Sequence, residues 1–281
     1  MNRKTNQKGG TQPVFPKSAF TLIELLVVIG ILCLLASFML PVLARAKIKS
    51  PAAGCLSNLR QMQLGWTMYK DDNNDVLLPS APLGIPNSQA WCPSSTENWN
   101  TASVNTNTSA YTNTLLWPYV AGDTSVYRCP GDVKPSANGI RIRSYSMNGQ
   151  MGMIYFYQNR NSGPASYDNP GMVYVKTPDL TCPTPANAFI LCDESMYTLN
   201  DGYLQVDTHG GSFPDVPAAY LDGACGFGFA DGHADLHRWQ TTALTIVPYK
   251  AGVTGSYPAV PGGLRNVDWI WFAQHTACDH P

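Results

Sequence analysis

The sequence predicts an α+β protein: a long amino-terminal, membrane-spanning α-helix that continues into a helix packed on an antiparallel β-sheet. Three observations predict it. Residues 20–40, "FTLIELLVVIGILCLLASFML", form an apolar run with a single charge, Glu24. Further on, "GCLSNLRQMQLGWTMY" sets Cys55, Leu59, Met62, Trp66 and Tyr69 at helical spacing on one apolar stripe. The rest of the chain is poor in charge and rich in Gly, Pro, Asn, Thr, Tyr and Trp, a composition of strands and ordered loops.

Residues 1–19 read as a cytoplasmic leader that holds Arg3, Lys4, Lys8 and Lys17 and no acid. Basic residues ahead of an apolar segment stay inside, so the bulk of the chain lies on the other side of the membrane. Arg45, Lys47 and Lys49 follow the segment and reduce that asymmetry. Residues 20–49 form the hydrophobic transmembrane and assembly helix, whose apolar part is about 30 Å long at ~1.5 Å per residue, the thickness of a bilayer core. A cleaved secretory signal would end in a small-residue site, whereas here the small residue, Ala19, precedes the apolar stretch. Pro41 is expected to kink or locally melt the helix. Ser50-Pro51 reads as a break and a restart, with Ser50 as N-cap and Pro51 in the first helical position. Residues 50–281 are then one globular domain with enough chain for its own core.

Within that domain, "DDNND" at 71–75 ends the helix as a solvated turn. Residues 77–117 lack periodicity and read as a long surface excursion. "RSYSMNGQ" suggests a strand turning at Asn148-Gly149, and "NAFILCDES" a fully buried strand ending in two acids. "GFGFADGHADLHRW" reads as a hairpin with a two-residue type I′ turn at Asp231-Gly232. That register sets Ala230 opposite His233, Phe229 opposite Ala234 and Phe227 opposite Leu236. His233, Asp235 and His237 then fall on the face away from the core. His233 and His237 lie about 13 Å apart along a strand, too far to share one zinc ion. Seven of the eight cysteines follow the apolar run, which suits an oxidising compartment. Their spacing fixes no pairing, and the odd number leaves at least one free or shared between chains.

The stretch "KSAFTLIELLVVIGIL" resembles the processing site of the type IV pilin and type II secretion pseudopilin superfamily. The resemblance implies that a prepilin peptidase cuts between Ala19 and Phe20, that the new amino terminus is methylated, and that Glu24 is the fifth residue of the mature chain. Ala19 stands where the family usually has Gly. "CLSNLRQMQLGWTMYKDDNND" also resembles a pilin-like subfamily with a Cys-x-x-Asn-Leu-Arg-Gln stretch after the membrane helix. The hairpin resembles that subfamily's carboxy-terminal processing-associated signature, a His, nine residues, then Asp-Gly. Twenty-one residues separate the upstream candidate, His209, from Asp231, as if by insertion.

What the resemblance implies is a structural subunit with a pilin-like fold, anchored by a single pass in the inner membrane with its bulk periplasmic, or extracellular once assembled. Its partners would be prepilin peptidase, copies of itself and other pilins in a filament, and the inner-membrane assembly machinery. Glu24 then has a physical task. A neighbour's freed Phe20 ammonium pairs with it in low dielectric, and a misplaced subunit leaves a buried charge uncompensated. Gly30, Ala36 and Ser37 are small residues that permit close approach of helices.

A net charge of −1 excludes a nucleic-acid footprint. Asp193, Glu194, His209 and Asp231 are expected to gather at one sheet edge, either as a hydrogen-bonded structural cluster or as a divalent-cation site. Calcium is the ion the resemblance suggests there. No residue is expected to be catalytic. The competing reading is a membrane-tethered periplasmic glycan-binding module or hydrolase, with Trp91, Trp99, Trp117 and Trp239 stacking on sugars. The chain offers no nucleophile constellation to support it.

Overall fold

The computed structural model describes residues 21–95, 97, 101–152, 173–205, 213–241 and 262–278. The chain forms two compact units, Met1–Lys47 and Ile48–Pro281, and helix α1 (Leu22–Asp72) contributes to both. In the first unit, Leu22–Met39 has a mean hydropathy of 2.7 and none of its residues is buried. The segment is apolar all round, so every face of it requires apolar surroundings, and it is long enough to cross a membrane.

The helix runs without interruption through Pro41 and through Ser50-Pro51, where the sequence suggested a break and a restart. An interior proline costs about 3 kcal/mol through its lost N–H and ring clash. Downstream, burial of Cys55, Leu59, Met62 and Trp66, each at most 1% exposed, contributes about 1.5–3 kcal/mol per large side chain and outweighs that cost. The helix does end at "DDNND": Asn74 and Asp75 take left-handed φ of 55° and 61°, and the Asp75 N–H donates to the Lys70 carbonyl at 2.9 Å.

The second unit is built on a five-stranded sheet of β1 (Tyr145–Asn148), β2 (Phe189–Asp193), β3 (Tyr203–Leu204), β4 (Ala224–Phe229) and β5 (Ala234–Arg238), in the order β3-β1-β2-β4-β5. It is antiparallel except for β3, which pairs parallel with β1. Both faces are covered, which is why the central strand β2 reads as a continuous apolar run and is buried throughout. One face meets α1. There β4 presents glycines, and a Cβ on Gly226 would lie 2.9 Å from both Cys55 Sγ and Leu59 Cδ1. Gln63 reaches across from α1 and donates to the carbonyls of Phe229 (3.1 Å) and His233 (2.9 Å). The other face carries Phe189, Phe227 and Phe229 and is closed by a carboxy-terminal helix, α2 (Val267–Thr276), through Trp269 and Phe272.

The described residues of 77–117 form no α-helix or named strand, as expected, but are not a surface excursion. Leu77, Leu78, Ala81, Trp91, Cys92, Tyr111 and Leu116 are all fully buried. A chain without regular structure still needs its polar groups satisfied, and internal ion pairs help to hold this region. Arg143 bonds Glu97 at 3.1 Å and the Tyr145 carbonyl at 2.7 Å, and Arg141 bonds Asp132 at 2.7 Å. Cys182 and Cys278 form a disulfide that ties the segment before β2 to the residue just past α2.

Candidate functional site

Among the described side chains of the first unit, the charged group lies at the start of α1. Thr21 is the N-cap of α1, and Glu24 reaches back to it: the Thr21 N–H and hydroxyl donate to Glu24 Oε2 at 2.8 and 2.6 Å, while the Glu24 N–H donates to Thr21 Oγ1 at 3.3 Å. This Thr-x-x-Glu arrangement is a capping box, which satisfies amide donors that a helix start leaves open. One carboxylate oxygen, Oε2, takes part in it, and the other lies outside the box. Ala19 and Phe20 lie outside the described residues. Gly30 has no atom within 4 Å of where a Cβ would stand, and the Ser37 hydroxyl donates back to the Leu34 carbonyl at 2.7 Å, so both leave the helix surface smooth.

The hairpin's register differs from the sequence reading by one residue. Phe227 pairs with Asp235 and Gly228 with Ala234, and the turn holds three residues, Ala230, Asp231 and Gly232. Gly232 supplies the left-handed φ, 96°, that closes such a three-residue loop. A one-residue slip moves every side chain to the opposite face. His233, Asp235 and His237 therefore stand on the aromatic side with Phe227 and Phe229, while Ala234 and Leu236 oppose the glycines beneath α1.

The slip, together with α2, builds an imidazole-lined cleft of about 230 Å³. His233 stacks flat on Phe229, ring centroids 4.3 Å apart, and its Nδ1 lies 2.6 Å from Asp231 Oδ1. His237 and His275 each stack on the Trp271 indole, at 3.7 and 4.2 Å. Burial holds both of these histidines below their ordinary pKa, with Asp268 opposing it at His237 and the Trp271 carbonyl at His275. Asp268 is buried and accepts from the N–H groups of Gln240 and Thr241, which fastens the end of β5 to α2. Its distance to His237 Nε2, 3.7 Å, is too long for a hydrogen bond. The stacked rings hold the imidazoles apart rather than around one centre. His275, Trp271 and Asp268 went unread in the sequence, although Asn266 as N-cap with Trp269, Phe272 and Thr276 at helical spacing signals this helix.

Of the four grouped acids and histidine, the structure brings Asp193 and Glu194 close in the chain but into different company. Asp193 points to the α1 side, where the Ser144 hydroxyl donates to Oδ1 at 2.6 Å and the Cys55 thiol meets Oδ2 at 3.7 Å. Burial pushes its pKa up to about 7, against the hydrogen bonds from Cys129 and Ser144. Glu194 instead takes a short hydrogen bond from Ser146 beside Arg143, and burial pushes its pKa up as well. Asp231 lies at the opposite end of the β2–β4 pairing, beside Ala188 rather than Asp193, partly exposed at the hairpin tip. His209 lies outside the described residues. Counted strictly, the histidine of the nine-residue signature falls on Leu221, which is 5% exposed and precedes β4.

The tryptophans invoked for sugar stacking are mostly committed inward. Trp91 and Trp239 are 0% and 4% exposed, and their indole N–H groups donate to the carbonyls of Gly202 and Ala218, each at 2.8 Å. Trp117 is half-buried against the core, and Trp99 lies outside the described residues.

Fold and segment together define an α+β protein with one apolar amino-terminal helix fit for single-pass membrane anchoring. Residues 15–40 match the family described as "Prokaryotic N-terminal methylation motif", so the chain carries a type IV pilin-like prepilin segment. No curated protein and no solved structure matches the chain.

Proposed function

We propose that the protein is a structural, non-catalytic subunit, a pilin or pseudopilin, of a type IV pilus or type II secretion-like filament. In this reading prepilin peptidase cuts between Ala19 and Phe20, the new terminus is methylated, and copies of the apolar helix pack side by side. The observation that carries the reading is that the methylation motif sits on a helical segment, Leu22–Met39, with no buried residue, in a chain whose other unit has its own core. Such a helix is left unpaired by its own chain and needs lipid, then like helices, around it. Glu24 pairs with the Phe20 ammonium of a neighbour through the oxygen its capping box leaves open. The basic leader supports a cytoplasmic amino terminus, and the Cys182–Cys278 disulfide fits a globular unit on the oxidising side.

The test is amino-terminal sequencing of the membrane-fraction protein produced with and without a prepilin peptidase. The mature chain is expected to begin at methylated Phe20 only when the peptidase is present. A chain that keeps residues 1–19 in both cases, or that starts elsewhere, overturns the assignment.

A further inference from the structure

A buried cluster on the α1 side of the sheet is chemically unusual. Cys55 lies on the α1 stripe, Cys129 in the loop after the 3₁₀ turn Thr124–Tyr127, and Asp193 at the end of β2. One ligand atom from each, two sulfurs and a carboxylate oxygen, lie within 4.8 Å of one another, and all three residues are fully buried. Segments distant in sequence are pinned to bring them there. Asn58 on α1 donates to the Arg128 carbonyl at 2.8 Å, next to Cys129, and the bare backbone of Gly54 lets Pro130 pack against the helix.

We propose that Cys55, Cys129 and Asp193 form a structural site for a thiophilic divalent cation of the zinc class, with the Tyr145 hydroxyl, 3.2 Å from Cys55 Sγ, as a fourth donor. Tetrahedral zinc with Zn–S of ~2.3 Å and Zn–O of ~2.0 Å sets neighbouring S···O atoms about 3.5 Å apart and S···S atoms about 3.8 Å apart. Cys55 Sγ and Asp193 Oδ2 already stand at 3.7 Å, and the Tyr145 hydroxyl lies 3.2 Å from Cys55 Sγ. The supporting hydrogen bonds are those a ligated site needs. The Gly131 N–H donates to Cys129 Sγ at 3.4 Å, and the Ser144 hydroxyl, itself bonded by the Cys129 N–H at 2.9 Å, holds the Asp193 carboxylate. Two thiolates select a soft cation over calcium. Full burial closes the site, so its role is to fasten α1 to the loop and the sheet rather than to perform chemistry. The cation replaces the calcium expectation at Asp193 with different partners, and the proposal stands or falls independently of filament assembly.

The test is metal analysis of the full-length chain, extracted from membranes in detergent without chelator, with cobalt(II) substitution as the probe. One zinc per chain and a cobalt spectrum with intense sulfur-to-metal charge-transfer bands are expected. Cys55→Ser, Cys129→Ser and Asp193→Asn should each abolish stoichiometric binding, and Ser144→Ala, which leaves all three ligands in place, should weaken it at least about tenfold. Thiol counting and intact mass of the unreduced wild-type chain guard against misfolded variants. A disulfide between Cys55 and Cys129, or two free thiols with no bound metal, overturns the site.

Discussion

At the scale of single residues, Glu24 holds two explanations that one substitution separates. Its carboxylate caps α1 through Thr21, which needs only an acceptor oxygen, and in the proposed filament it would pair with an ammonium, which needs a negative charge. Glu24→Gln keeps the acceptor and removes the charge. We expect the Gln variant to insert and be processed as the parent is, and to enter filaments at least about tenfold less often, because the neighbour's ammonium then lies buried without a counter-charge. Filament yield measured against the parent checks this, and normal incorporation would assign Glu24 to capping alone. The residue was legible in the sequence because one acid in an apolar run has no bland neighbours to hide among. Asp193 stands out in the sequence as one of two acids ending the apolar run of β2, but its partners do not. Cys55 and Cys129 lie 138 and 64 positions away, and only the fold brings them to it.

At the scale of elements, the hairpin shows how a correct element can carry an inverted consequence. "ADGH" announces the turn, yet whether two or three residues make it depends on where the left-handed residue falls, and Gly232 takes the third position. The result is the stack of His237 on Trp271, and it makes the docking of α2 sensitive to pH. His237 and His275 have depressed pKa values in the folded state, caused first by burial, with Asp268 the nearest acid to His237 and Asp235 on the same strand face. An unfolded histidine binds a proton near pH 6.5, so the unfolded state is the better base here. The stabilisation is therefore complete above pH 6.5 and lost as pH falls through that value toward the lower folded one. Asp193 and Glu194, with raised pKa values, act in the opposite sense in parent and variant alike, so the check is a difference: between pH 7 and pH 5 the parent's urea midpoint, followed by tryptophan fluorescence, should fall relative to that of His237→Phe, which keeps the stacking and cannot titrate. An unchanged profile in that variant would remove His237 from the account. The other element that differed, the unbroken α1, reflects the limits of local reasoning: Ser50-Pro51 is a sound helix start in isolation, and the buried stripe after it decides otherwise.

For the whole molecule, the sequence showed an apolar anchor, a striped helix and a strand-rich remainder, because each has a local period. It did not show that the irregular region buries its aromatics or which cysteines pair, since those depend on contacts across the chain. The Cys182–Cys278 bond closes a loop of sequence separation 96 that contains β2, β3, β4, β5 and α2. It thereby joins both ends of the segment that makes most of the sheet and the helix closing its second face. Asn148 backs this closure by donating to the carbonyls of Phe189 on β2 and Thr276 at the end of α2, at 3.0 and 2.9 Å. Cross-linking so long a loop removes much of the unfolded chain's freedom, about 2–5 kcal/mol in proteins of this kind. The double variant Cys182→Ser/Cys278→Ser should lose stability in that range in urea titrations, with α2 detaching first because its remaining hold is the aromatic packing, the Asp268 bonds to the end of β5 and the Asn148 bond. Hydrogen exchange in the 267–276 helix, measured alongside the global transition, distinguishes the outcomes. Faster exchange in α2 than in β4 locates the effect at the closure, whereas equal stability of variant and parent would show that packing on the aromatic face alone keeps the helix in place.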